Sequence, residues 1–350
     1  MSLSTANLFW LTRLLMLEAF LPHPGKVIIR EVPKPKPGRG EALVAVKRIG
    51  VCGSDIHVWH GKHPYTSYPV IQGHELSGII EEAGEGVELK VGQKVTVQPQ
   101  VVCGTCAPCR RGDYHVCENL KVMGFQTEGG AREFWKVEAS KLIPLPEEVS
   151  LDEGAMVEPL SVAVHAVRKA GEIVEKKAVV LGAGPIGNFV AQVLKARGVD
   201  VLVSDPNPFR LQLARRVGIE GINPEEEELG KAVERRWGEK VGLWFECVGI
   251  EETISQAIDL CAKGGTIVVV GVFPEKVRVN MGFVQDHELT LRGTLMYKRE
   301  DMLEAIELLR SKKVQAEPLI THRFKFVDYE KAYKFIDENK DKVMKVIIEV

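Results

Sequence analysis

The sequence predicts a two-domain α/β protein, with a doubly wound parallel-sheet domain inserted into a smaller, β-rich domain. Three observations carry this. At 350 residues the chain is long for one core. Its first part reads as short strands broken by Gly and Pro, with four cysteines packed into a short stretch. After Glu153 apolar strands alternate with amphipathic helices, the pattern of a parallel sheet covered on both faces. The predicted domains are 1–155, 156–295 and a return to the first over 296–350.

Composition narrows the class. Hydrophobic residues make up 45% and charged residues 27%, as in ordinary soluble globular proteins. A formal charge of −2 gives no sign of a nucleic-acid or anionic-membrane partner. The acidic run Glu225 to Glu228 is expected on a solvated helix or loop face. Residues 5–21 hold an apolar run, but Arg13 and Glu18 interrupt it, so it is too short and charged to span a membrane. No small-residue cleavage site follows, which argues against a signal peptide; Met16 is read as the natural start, with an appended extension before it. Cytoplasmic residence follows from the cysteine usage, since these residues do not form a disulfide framework and Cys247 and Cys261 lie in apolar segments.

In the first domain, strands are expected at 26–32, 41–48, 78–84 and 93–97, with a cysteine lobe at 100–120. Its motif is Cys103-x2-Cys106-x2-Cys109-x7-Cys117. Four thiolates at such spacing suit a closed, tetrahedral, structural zinc site. Being coordinatively saturated, such an ion pins the lobe and has no part in chemistry.

A helix from Glu158 leads into the second domain. Strands are predicted at 177–181, 199–204, 242–246, 266–270 and 289–292, and helices at 188–197, 210–217 and 252–261. The tail holds two helical runs, the second at 329–339, and a last strand at 343–350 that returns to the first domain. Gly182-Ala-Gly184-Pro-Ile186-Gly187 lies directly after an apolar strand and opens a helix. Gly182 permits the tight turn, Gly184 lets the backbone approach a pyrophosphate, and Gly187 lets helix and strand pack closely. The helix N-terminus faces the phosphate charge. Asp205 ends the next strand, where a carboxylate binds the ribose hydroxyls and repels a 2′-phosphate, favouring NAD over NADP. Arg210 is placed against the adenine or ribose; Ile186, Val270 and Val272 complete the predicted cofactor contacts.

Cys52, His74 and Glu75 form a second set of potential ligands. Thiolate, imidazole and carboxylate suit a catalytic zinc that keeps one position open. Such an ion lowers the pKa of a bound hydroxyl, so hydride can leave the carbinol carbon for a nicotinamide. With Cys52-Gly-Ser54-Asp55-Ile-His57, Gly73-His74-Glu75, the cysteine quartet and the glycine motif in one chain, residues 17–350 resemble the zinc-containing medium-chain dehydrogenases, nearest the sorbitol (polyol) branch. The resemblance implies a GroES-like catalytic domain plus a Rossmann domain, NAD, and two zinc ions per subunit. It also implies that Cys52, His74 and Glu75 bind catalytic zinc, with Glu158 near the metal as a direct or water-mediated ligand. Ser54 and His57 match the family's proton relay, and a homo-oligomer, commonly a tetramer, is expected by analogy.

The resemblance also narrows the substrate. Threonine dehydrogenases usually carry Asp-Pro-Phe-Gly-Asn where this chain has Glu158-Pro-Leu-Ser-Val, whereas butanediol dehydrogenases share Glu-Pro-Leu and a turn like Gly129-Gly-Ala-Arg-Glu-Phe134. Val58 and Met296 replace a tyrosine and an arginine of the animal sorbitol enzymes. The expected substrate is polyol-like, a sugar alcohol, a cyclitol or a sugar acid, with a butanediol- or threonine-type zinc dehydrogenase as the alternative. A non-catalytic NAD-binding sensor is the reading from another class, and the intact Cys52, Ser54, His74 and Glu75 count against it.

Overall fold

Glycine and proline punctuation cuts the first part of the chain into short strands, and a computed structural model describes residues 14–350 of it. The apolar stretch 5–13 lies outside the described residues. Two compact units result: one runs to Glu158 and resumes at Ile320–Val350, the other is Pro159–Leu319.

In the first unit β1 (Leu15–His23) and β2 (Lys26–Pro33) form an antiparallel hairpin around Gly25, which has φ +76°. The sequence reading missed β1. Glu18 breaks its apolar pattern, yet faces inward, where Arg30 and Arg132 pair with it. Next come β3 (Glu41–Val51), β4 (Glu75–Ala83), β5 (Lys94–Val97), the short pair β6 (Gln100–Val101) and β7 (Lys121–Val122), β8 (Phe134–Glu138) and β9 (Leu142–Pro144).

The second unit holds β10 (Lys177–Leu181), β11 (Asp200–Ser204), β12 (Glu220–Ile222), β13 (Leu243–Glu246), β14 (Thr266–Val269) and β15 (Thr290–Gly293). All pair in parallel in the order β12-β11-β10-β13-β14-β15. This is the dinucleotide-fold order 3-2-1-4-5-6, with its reversal between β10 and β13. The acidic run lies in the turn before helix Leu229–Trp237 and is largely exposed.

The chain then returns through β16 (Ile320–Lys325) and β17 (Lys345–Glu349). β17 pairs antiparallel with β3, giving the seven-stranded sheet β16-β17-β3-β4-β5-β9, with β8 also on β3. Its core includes Val44, Ile49, Leu76, Trp135, Tyr333 and Ile348. The division at Ile320 differs from the expected return at 296. Helix Arg299–Arg310 stays with the parallel-sheet unit, where buried Asp301 accepts from His165 Nδ1 at 2.8 Å and Glu304 pairs with Arg197. Polar pairing, invisible to hydrophobic periodicity, decides that boundary. Among the described residues no helix is long and apolar enough to cross a membrane.

Candidate metal centres and nucleotide site

The cysteine lobe is built from its own neighbours. Cys106 precedes the one-turn helix Ala107–Arg110, and the turn Tyr114–Val116 delivers Cys117. The four Sγ atoms lie within 4.8 Å of one another. Cys117 Sγ is 3.5 Å from Cys103 Sγ and 3.8 Å from Cys106 Sγ, and none forms a disulfide. Four thiolates about 2.3 Å from one zinc would stand about 3.8 Å apart, the edge of a tetrahedron. Backbone N–H groups of Cys103 and Asn119 donate to Cys117 Sγ, and that of Cys106 to Cys103 Sγ. Backbone donors of Thr105 and Cys106 hold the Cys103 thiol down at about 5, while burial pushes Cys109 up to about 12. A thiolate-rich set of this shape fits zinc.

The second cluster is assembled from distant segments. Cys52 follows the last residue of β3 and caps helix Gly53–Trp59; His74 and Glu75 stand at the start of β4. Pairing of Gly50 with Glu75 across β3 and β4 brings them together. One ligand atom from each of Cys52, His74 and Glu75 lies within 4.8 Å of the others. Glu158 is buried at the start of helix Val157–Lys169 but stands outside this three-residue group. One soft anion, one imidazole and one hard anion fit a three-ligand zinc with an open position.

Residues the sequence reading did not single out hold this cluster. Buried Asp55 accepts from Cys52 N at 2.9 Å and Gln72 Nε2 at 3.1 Å, and its Oδ1 stands 3.5 Å from His74 Nδ1. Tyr333 O–H donates to Gln72 Oε1 at 2.9 Å, so a helix from the far end of the chain braces the network. Burial alone would push His74 down, but Asp55 and the Cys52 sulfur outweigh it and hold the ring well above its ordinary value. Lys345, on β17, grips Glu75. Asp55 sits inside the quoted Cys-to-His segment, so spacing offered a signal for it. Gln72, Tyr333 and Lys345 had none, because only tertiary pairing brings them near. Ser54 is half-buried and His57 exposed, three residues apart on one face of helix Gly53–Trp59.

In the parallel-sheet unit Gly182 has φ +94°, and a Cβ on Gly187 would stand 1.9 Å from Gly182 O. No other residue type fits there without moving backbone. A Cβ on Gly184 would meet no protein atom within 4 Å, so a side chain there would only fill the cradle a pyrophosphate needs. Gly184 caps helix Pro185–Ala196, whose first N–H groups face the same space. Ile186 lies in its first turn, half-buried. Asp205 is buried and braces the loop itself, accepting from Ala183 N at 2.7 Å and Asn207 N at 2.8 Å. Arg210 Nη1 stands 3.6 Å from it. Val270 is half-buried after β14, and Val272 is 83% exposed.

Glu246, at the end of β13, was not anticipated. It is fully buried, and Oε1 accepts from Val248 N, Gly249 N and Thr253 Oγ1 at 2.8–2.9 Å. It thereby shapes the loop on the other side of the strand-order reversal. The chemistry of this edge fits a dinucleotide.

Comparison with known proteins agrees with both units. Residues 38–147 match the alcohol dehydrogenase GroES-like domain, and residues 185–311 the zinc-binding dehydrogenase family. The chain is 38% identical to a 2-dehydro-3-deoxy-L-galactonate 5-dehydrogenase of Pseudoalteromonas atlantica, over 89% of this chain and 92% of that one. It is 36% identical to an L-threonine 3-dehydrogenase of Pyrococcus horikoshii, over 89% and 92%. The crystal structure of an alcohol dehydrogenase from Escherichia coli CFT073, complexed with NADH, superposes with a TM-score of 0.89 at 31% identity, covering 96% and 99% of the two chains.

Proposed function

The chain belongs to the zinc-containing medium-chain alcohol and polyol dehydrogenase family, and on that premise we propose that it reversibly oxidises a secondary alcohol of a polyol-like substrate to a ketone, with NAD. The observation that carries this is the Cys52–His74–Glu75 group: three donors of the right kinds, mutually within 4.8 Å, two of them buried. Zinc, when bound, supplies a Lewis acid that makes an alcohol hydroxyl more acidic, and NAD supplies the hydride acceptor.

The chain's own residues do the rest. Cys52, His74 and Glu75 would hold the ion, and Glu158 adds a buried carboxylate nearby. Asp55 orients and polarises His74 from behind. Ser54 Oγ takes the alcohol proton, and the exposed His57 ring passes it to solvent. Cys103, Cys106, Cys109 and Cys117 hold a second zinc that fixes the lobe. Gly182, Gly184, Ile186 and Gly187 seat the pyrophosphate; Asp205 selects against a 2′-phosphate; Arg210, Val270 and Val272 complete the cofactor contacts.

A sugar acid, sugar alcohol or cyclitol is the substrate class this reading favours, supported by the galactonate-derivative relative and by Glu158-Pro-Leu-Ser-Val. The threonine relative, at 36% identity, supports a second reading, an amino-alcohol substrate. NADH formation by the zinc-loaded protein across sugar acids, sugar alcohols, cyclitols, butanediol and threonine separates them. A dominant rate on threonine overturns the polyol reading. A homo-oligomer is supported by β15, which ends its sheet and has all four residues exposed. Cytoplasmic residence is supported by seven cysteines without a disulfide.

A further inference from the structure

Gln72 is a member of the network around Cys52, His74 and Glu75 that metal binding by itself does not call for. It lies two positions before His74 and is fully buried, which costs free energy unless each polar atom of its amide is paired. Here each one is. Nε2 donates to Asp55 Oδ1 at 3.1 Å and to Asp55 O at 3.3 Å, and Oε1 accepts from the Tyr333 hydroxyl at 2.9 Å. Both amide protons therefore go to one residue, the same Asp55 whose Oδ1 stands 3.5 Å from His74 Nδ1.

Backbone pairing fixes where this amide starts. Gly129 N donates to Ile71 O, Ala131 N to Gln72 O and Gly130 N to Gly73 O, at 2.8–2.9 Å. Gly73, between Gln72 and His74, has φ +91°, and a Cβ there would stand 2.9 Å from Ala131 N. The Gly129-Gly-Ala turn thus clamps the segment from which the Gln72 and His74 side chains both reach Asp55. Tyr333 is held as firmly from the other side. It is fully buried in helix Tyr329–Glu338, its ring 5.6 Å from that of Trp59 and 5.3 Å from that of Tyr329.

The amide fits one way round. An ionised carboxylate oxygen and a backbone carbonyl only accept, so the NH2 end faces Asp55 and the oxygen faces Tyr333. Turned over, Oε1 would meet two acceptors. The Tyr333 proton on Oε1 polarises the amide and strengthens its hold on Asp55. Cys52 N holds Asp55 Oδ2 at 2.9 Å while Gln72 holds Oδ1, so the carboxylate cannot rotate away from His74.

We propose that Gln72 and Tyr333 are positioning residues for His74: Tyr333 orients the Gln72 amide, and the amide locks the Asp55 carboxylate so that Oδ1 stays beside His74 Nδ1. A proton kept on Nδ1 leaves the lone pair of the other ring nitrogen for a metal ion. This rests on the reading of Cys52, His74 and Glu75 as a zinc site. A glutamine that merely filled a buried gap would affect stability alone. One that acts through Asp55 changes zinc affinity at this site and leaves the cysteine lobe untouched.

The test is Gln72→Met in the full-length protein, which keeps the length of the side chain and removes its hydrogen bonds. Zinc affinity is measured by competition with a chelator. At the Cys52 site it should fall by about tenfold, the lower end of what outer partners of a metal ligand contribute, while the lobe keeps its zinc. Tyr333→Phe should act in the same direction by a smaller factor, about threefold, since it weakens the amide's hold without removing it. Added to Gln72→Met, Tyr333→Phe should cause no further loss, because it acts through the amide. Unchanged affinity in folded Gln72→Met, or a further loss in the double variant, overturns the proposal. If Gln72→Met does not fold, Tyr333→Phe decides alone: it removes one oxygen atom, and unchanged affinity at the Cys52 site overturns the proposal. A wild type holding one zinc, unaffected by Cys52→Ser, would instead remove the zinc-site reading beneath it.

Discussion

The two thiol-bearing clusters use overlapping chemistry and are built in opposite ways. In the lobe, four like donors lie within fifteen residues, held by local turns and backbone N–H groups. In the other, three unlike donors come from the end of β3 and the start of β4, and the last strand and helix of the chain brace them. A site of identical donors with local support is closed and structural. A site of mixed donors with long-range support leaves one position free and sets each ligand's strength separately. On the proposed reading, the closed site is held by local contacts and the open site by long-range ones.

The largest effect that would sharpen this contrast is in turnover. Cys52→Ser or His74→Ala removes several kcal/mol of charge stabilisation and should lower kcat by about a thousandfold or more. Zinc content should fall from two to one and NAD binding should persist. Full activity in either variant would break the assignment of the open site.

The next effect is in stability. Cys103→Ser or Cys117→Ser should lower the unfolding midpoint markedly, since binding energy at such a site is folding energy. The molecules still folded should keep kcat within a few-fold and retain the other zinc. A proportionate loss of kcat in folded protein would show that the lobe is not merely structural. Asp55→Asn comes third: it keeps the hydrogen-bonding shape but removes the charge beside His74, and should weaken metal affinity at that site alone by about 10–100-fold. Equilibrium dialysis against zinc buffers would measure it; unchanged affinity would mean that His74 needs no anionic partner.

The smallest effect lies on the helix that carries Tyr333. Glu330 accepts from Val27 N and pairs with Lys26 and Lys334, joining that helix to β2. Burial alone would raise its carboxyl, but Lys334, the Val27 N–H and Lys26 outweigh this and hold it at about 2 rather than 4.5. A depressed folded-state pKa gives stability that is full above the unfolded value and is lost as pH falls. Glu330→Gln should therefore cost up to about 1 kcal/mol near neutral pH. The deficit should shrink below pH 4.5 and vanish near pH 2. A deficit constant over that range in denaturant titrations would assign it to packing.

How much was legible follows the same divide. Local spacing revealed the cysteine quartet and the glycine turn, because each is set by neighbours in sequence. Strands β10, β11, β13 and β14 were readable from apolar runs and glycine boundaries. β1 was not, because Glu18 looks like an interruption until Arg30 and Arg132 are seen to neutralise it. β16 was missed too, having one clearly buried residue, Ile320. The chain was expected back in the first unit at 296, but Asp301 and Glu304 bind helix Arg299–Arg310 to the parallel-sheet unit. Glu246 read as the end of an apolar strand, and only its three hydrogen bonds reveal a loop-shaping role.

By itself, then, the sequence determined the donor types, the nucleotide turn, the two architectures and the reaction class, since each depends on residue identity at short separation. The tertiary structure alone decided that Lys345 would meet Glu75, that Tyr333 would reach Gln72, and that Glu158 would stand outside the three-ligand group. Those contacts depend on the pairing register of strands and helices far apart in the chain, and residue spacing carries no record of it.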